Sequence, residues 1–164
     1  MTEASVKPGL TPLAVGTQAP DFSLRDQNNE IVTLSQFKGD KAVLLVFYPF
    51  AFTGICTGEL GQIRQHIDRF ANDSVQVISV SVDSPYSHKI FSQRDELNFP
   101  LLSDFWPHGA VADSFGVFNA EVGAANRGTF LIDSAGNIRF SEVNELGAGR
   151  DPQDWLQAID ELSD

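Results

Sequence analysis

Ala42-Val-Leu-Leu-Val-Phe-Tyr48-Pro49-Phe-Ala-Phe-Thr53-Gly-Ile-Cys56 decides how this chain folds. Its first seven residues are apolar without a break. Such a run suits a central strand covered on both faces. Pro49 has no N–H to give to a ladder, so the strand ends there. Beyond it, Cys56, Leu60, Ile63, Ile67 and Phe70 recur every three or four residues, which lines them along one face of a helix. Glu59, Arg64 and Arg69 fall on the other, polar face. The chain passes from a buried strand through a turn into an amphipathic helix, and its single cysteine lands in the first helical turn.

Working outward, Ala71 to Ser74 breaks that helix, and Val75 to Val82 is a second strong strand. Ser84-Pro85 pairs an N-cap with a proline at the first helical position, which predicts a helix over Tyr86 to Leu97. Leu101-Leu102 is a short strand, and His108 to Phe115 a small helix closed by Gly116. Arg127 to Ile132 and Asn137 to Glu142 form a hairpin around Asp133-Ser-Ala-Gly136. After a flexible lead-in at Ala148 to Arg150, Asp151-Pro152 opens a last helix with Trp155, Leu156 and Ile159 facing inward. On the N-terminal side, Ala19 to Leu24 is an edge segment, Asp26 to Glu30 a polar turn and Ile31 to Leu34 an apolar stretch. Met1 to about Val15 reads as a flexible leader lying along the body. The expected architecture is one α/β domain over residues 1–164, a central mixed β-sheet flanked by helices.

Composition narrows the function. The 164 residues carry a formal charge of −11, which repels phosphate backbones and argues against nucleic acid and anionic membranes as partners. No apolar run approaches membrane-spanning length. The first thirteen residues lack the basic start and apolar core of a signal peptide. With one cysteine, these features point to a reducing, cytoplasmic setting. No G-x-G-x-x-G or phosphate-binding loop is present, so no nucleotide cofactor is implied. His66, His88 and His108 are scattered and do not suggest a metal site.

Cys56 has two readings. A free cysteine on an apolar stripe is commonly inert core. Against that, Thr53 is a candidate N-cap, which places Gly54, Ile55 and Cys56 at the first three helical positions. A sulfur there meets free N–H groups and the positive end of the helix, both of which favour its charged form. Arg127, between Asn126 and Gly128 at the head of a strand, is either an edge arginine in solvent or a partner for that charge. Phe105-Trp106 reads equally as core or as an exposed patch for a homodimer.

Pro49-x-x-x-Thr53-x-x-Cys56 with Arg127 before a strand resembles the peroxiredoxin signature. The likeness runs from Gly16-x-x-Ala19-Pro20-Asp21-Phe22 to the terminal helix. Thr53-Gly-Ile-Cys56-Thr-Gly-Glu59 and Leu102-Ser-Asp-Phe-Trp-Pro-His-Gly109 look most like the actinobacterial one-cysteine subgroup, the alkyl hydroperoxide reductase E type. The resemblance implies a thioredoxin-like fold and a thiol-dependent peroxidase. It implies that Cys56 attacks the peroxide, that Pro49, Thr53 and Arg127 shape the pocket, and that Glu59 is an acidic neighbour.

With no second cysteine, the oxidised sulfur needs an external low-molecular-weight thiol and a glutaredoxin-like or mycoredoxin reductant. Expected substrates are hydrogen peroxide, organic hydroperoxides and peroxynitrite, and the expected assembly is a homodimer. The competing reading is a non-catalytic thioredoxin-like binding or chaperone module.

Overall fold

The computed structural model describes residues 7–162. Its central element is β3 (Ala42–Phe47), all six residues of which are buried. Side chains alternate across a strand, and β3 uses both faces. Leu44 and Val46, with Tyr48 just beyond, enter one core, and Val43, Leu45 and Phe47 enter the other. This is the physical meaning of the unbroken apolar run.

Around β3 lies a seven-stranded sheet. In chain order its members are β1 (Ser23–Arg25), β2 (Ile31–Thr33), β3, β4 (Val75–Ser81), β5 (Leu101–Ser103), β8 (Arg127–Ile132) and β9 (Ile138–Asn144). Spatially they run β2-β1-β5-β4-β3-β8-β9. β3 pairs with β4 in parallel and with β8 antiparallel, so the sheet is mixed as expected. Between β5 and β8 a two-stranded ribbon, β6 (Phe118–Asn119) and β7 (Ala124–Ala125), stands apart; sequence patterning did not anticipate it.

The helices cover both faces. α1 (Gly54–Gln65), α2 (Ile67–Phe70), α3 (Pro85–Asp95) and α5 (Pro152–Glu161) bring Cys56, Leu60, Ile63, Phe70, Phe91, Trp155 and Leu156 into the first core. α4 (Ala110–Ser114) brings Val111 and Ala112 to the second, with Phe22, Leu34 and Phe115. Ser84 caps α3 by accepting from Ser87 N at 3.2 Å. Asp151 caps α5 by accepting from Gln153 N at 2.9 Å.

Three local expectations change. α3 stops at Asp95, two residues before Leu97, because Glu96 turns into a left-handed cap with φ of 54°. Glu59 is buried instead of lying on a polar face, and Arg150 is buried instead of belonging to a loose lead-in. Phe105 and Trp106, which the sequence left open between core and surface, are exposed.

Of the leader expected over residues 1–15, the first six lie outside the described residues. From there the chain runs along the body: Thr11 N donates to Gly116 O at 3.3 Å and Leu13 N to Phe115 O at 3.2 Å. Gly116 permits this approach. Its φ is 80°, and a Cβ there would strike the Thr11 carbonyl.

Candidate active site

The end of β3 and the start of α1 build the centre of the site. Buried Pro49 turns the chain, and the Ala51 N–H is held by Asp83 Oδ2 at 2.8 Å. Thr53 occupies the N-cap position, with extended φ and ψ of −87° and 153°. Its hydroxyl does not cap the helix. It donates to Phe50 O at 2.8 Å, so the first-turn N–H groups are not taken by the threonine side chain. Cys56 sits at the third helical position and has no exposed surface.

Arg127 comes to this sulfur from the first residue of β8. It is buried, which settles it as an interior group and not an edge arginine. Its Nη1 donates to Cys56 Sγ at 3.3 Å and to Glu59 Oε1 at 2.8 Å, while its Nε donates to Leu146 O at 2.8 Å. Glu59 follows Cys56 by one helical turn, so both present to the same guanidinium.

Arg150, which sequence reasoning missed, completes the cluster. Its Nε and Nη2 meet the two Glu59 oxygens at 2.9 and 2.8 Å, a bidentate pairing, and its backbone N–H adds a bond to Oε2 at 2.9 Å. Its Nη1 reaches Gly128 O at 2.9 Å and Thr129 Oγ1 at 3.0 Å. Burial opposes charge on Glu59. The hydrogen bonds and charge of Arg150, joined by the charge of Arg127, outweigh it and hold the carboxyl below its ordinary value of 4.5.

Two guanidiniums therefore share one carboxylate in a water-poor site. One positive charge remains in excess, and Arg127, which also holds Glu59 and the Leu146 carbonyl, donates to the Cys56 sulfur. The sulfur thus lies where a helix start and a guanidinium donor converge. The signal for Arg150 was faint: an arginine directly before a capping aspartate looks like loop until the fold closes over it.

A second buried network adjoins the site. His88 Nε2 lies 2.9 Å from Tyr48 Oη and 2.7 Å from Ser81 Oγ, and Ser81 Oγ donates to Asp83 Oδ2 at 2.6 Å. Burial lowers the His88 pKa to about 4 against the opposing charge of Asp83. Asp83 thus ties the turn before Cys56 to the sheet. His66 is exposed, and His108 holds Gly123 O at 2.7 Å. Among the described residues no group of three histidine, cysteine, aspartate or glutamate side chains could hold a metal.

A protein-family model, the AhpC/TSA family, matches residues 15–141. The chain belongs to this family. As a member it is a peroxiredoxin, a thiol-dependent peroxidase of thioredoxin-like fold. Among AhpC/TSA relatives it is 53% identical over 151 residues to alkyl hydroperoxide reductase E of Mycobacterium tuberculosis, covering 92% of this chain and 99% of that one. To the chloroplastic 2-Cys peroxiredoxin BAS1 of Arabidopsis thaliana it is 37% identical over 158 residues, 90% of this chain and 59% of that one.

Solved family members superpose closely. A reduced 2-Cys peroxiredoxin of Plasmodium vivax gives a TM-score of 0.83 at 31% identity, over 93% of this chain and 83% of that one. Mycobacterium tuberculosis AhpC gives 0.80 at 27% identity, over 93% and 99%. Two of these relatives are named for two cysteines, whereas this family member carries one. No helix among its described residues is long and apolar enough to cross a membrane.

Proposed function

We propose that the protein is a one-cysteine peroxidase in which Cys56 reduces peroxides and an external thiol restores it. The observation that carries this reading is the 3.3 Å hydrogen bond from Arg127 to the buried Cys56 sulfur, backed by a guanidinium pair that outnumbers its carboxylate. The thiolate attacks one peroxide oxygen. The O–O bond breaks, the hydroxyl oxygen stays on sulfur as sulfenic acid, and the second oxygen leaves as alcohol or water after taking up the proton that the thiol released on ionising. Negative charge gathers on the leaving oxygen, so a donor fixed before reaction is worth most at that moment.

In this mechanism Arg127 meets the developing charge, and Glu59 and Arg150 hold its fork in place. Thr53 presents its hydroxyl oxygen at the mouth of the site, and Pro49 sets the turn. Hydrogen peroxide and organic hydroperoxides are the proposed substrates, with peroxynitrite as a third oxidant. Because the chain has one cysteine, the sulfenic acid condenses with a low-molecular-weight thiol, and a glutaredoxin-like or mycoredoxin reductant removes the adduct. The likeness to a mycobacterial relative makes mycothiol the first thiol to try. A cytoplasmic homodimer is the proposed form.

Stopped-flow mixing with hydrogen peroxide tests the reading. Cys56 should oxidise orders of magnitude faster than a free thiol at the same pH, and Cys56→Ser should be inactive while retaining its fold. After one turnover without thiol, intact mass should show sulfenic acid, passing to sulfinic acid in excess peroxide. With thiol present it should show one adduct per chain. An obligatory disulfide between two copies of Cys56 would overturn external recycling.

A further inference from the structure

Cys56 has no exposed surface. A thiol much larger than a peroxide therefore reaches its oxidised sulfur only when the first turn of α1 moves. Contacts from α3 hold that turn. Phe52, four residues before Cys56, has φ of 70°, in a left-handed region that a bulky side chain occupies only under constraint. Its ring packs on Phe91 with centroids 5.1 Å apart. The Arg94 guanidinium lies 4.9 Å from the Phe52 centroid and 5.5 Å from that of Phe91.

Arg94 Nη2 also stands 3.4 Å from Thr57 Oγ1, one residue past Cys56. The guanidinium is aimed by Asp95, which accepts from Nε at 2.7 Å and from Nη2 at 3.0 Å. One side chain of α3 thus touches the chain on both sides of the buried sulfur.

We propose that Arg94 is a positioning residue, a clasp that keeps Phe52 in its strained conformation and opposes entry of the external thiol to oxidised Cys56. This rests on the external-thiol reading above. Opening the turn lets Phe52 return to ordinary φ and sacrifices its contact with the cation. Strain favours opening, and the clasp resists it. In the step it governs, the thiol sulfur bonds to Cys56 Sγ, the S–O bond of the sulfenic acid breaks, and its hydroxyl leaves with the thiol proton as water. Peroxide attack needs the closed turn, with Arg127 against the sulfur. Loosening the clasp should speed the thiol step without speeding peroxide attack, whereas a merely structural role would move the two together.

Arg94→Ala tests this, with glutathione as the thiol probe and quenched intact mass as the readout. The adduct should form about two- to fivefold faster than in wild type, the factor that a partly exposed cation–π contact corresponds to. Oxidation by hydrogen peroxide should be no faster. Arg94→Lys keeps a cation over the ring and should restore the wild-type rate. Phe52→Ala removes the Phe91 contact as well and should be at least as fast as Arg94→Ala, and adding Arg94→Ala to it should gain nothing more.

Alkylation of reduced Cys56 by iodoacetamide reads the same opening without peroxide or thiol, and should be faster in Arg94→Ala. Equal adduct and alkylation rates in wild type and Arg94→Ala overturn the clasp, as does a loss of both steps by one factor. Wild type that takes up no glutathione overturns the external-thiol reading, and the alkylation comparison then decides the clasp by itself.

Discussion

Glu59 accepts four hydrogen bonds from two arginines, and its two oxygens have no capacity left for solvent. Its folded pKa is depressed, so the stability it contributes is present above its unfolded value near 4.5 and is lost as pH falls through the lower folded value. Glu59→Gln should cost about 3 kcal/mol near neutrality, the scale of breaking a buried pair. The gap from wild type should narrow below pH ~4.5, as urea unfolding across a pH series would record; a constant gap would sink the assignment. Arg127→Ala removes the donor to the sulfur and should slow peroxide oxidation about 100-fold, measured by stopped flow. An unchanged rate would refute its electrostatic role. Cys56 and Arg127 were both legible as candidates, one from helix position and the other from an odd strand start. Glu59 was legible only by resemblance, because helical spacing sent it to the polar face.

At the scale of elements, α1 does two jobs that its periodicity cannot separate. Leu60 and Ile63 enter the core as apolar spacing requires. Glu59, adjacent to them, is drawn inward by charges arriving from β8 and from Arg150, just before the Asp151 cap of α5. α5 in turn is anchored by Trp155, which is fully buried, lies 6.3 Å from the Phe70 ring and sits beneath Arg150 with the guanidinium carbon 5.5 Å from its centroid. Trp155→Ala should cost about 3–5 kcal/mol by leaving a large cavity. It should also slow peroxide oxidation, because Arg150 loses the surface that orients it toward Glu59. Denaturant unfolding and stopped flow on the same sample would check both, and a destabilised variant with an unchanged rate would break the link from α5 to the site.

For the molecule as a whole, surface decides assembly. Tyr86, Phe105 and Trp106 are 77%, 55% and 79% exposed, and Leu24, Ile31, Pro85, Phe105 and Trp106 line one cleft of about 300 Å³. So much aromatic surface on a chain of charge −11 fits a homodimer whose apolar faces overcome repulsion. Sedimentation at micromolar concentration should give twice the chain mass, and Trp106→Glu should return the monomer; a monomeric wild type would end the proposal. Local order alone specifies the buried strand, the turn at Pro49, the helix that begins after Thr53 and the place of Cys56 in its first turn. These follow from spacing and from residues close in the chain, where the rules of strand and helix act. Which charges meet that sulfur depends on how distant elements pack. Arg127 reaches Cys56 across 71 residues, and Arg150 reaches Glu59 across 91. Such pairings arise when two elements are packed on one sheet and leave a buried charge that must find its opposite, and no local pattern encodes that meeting.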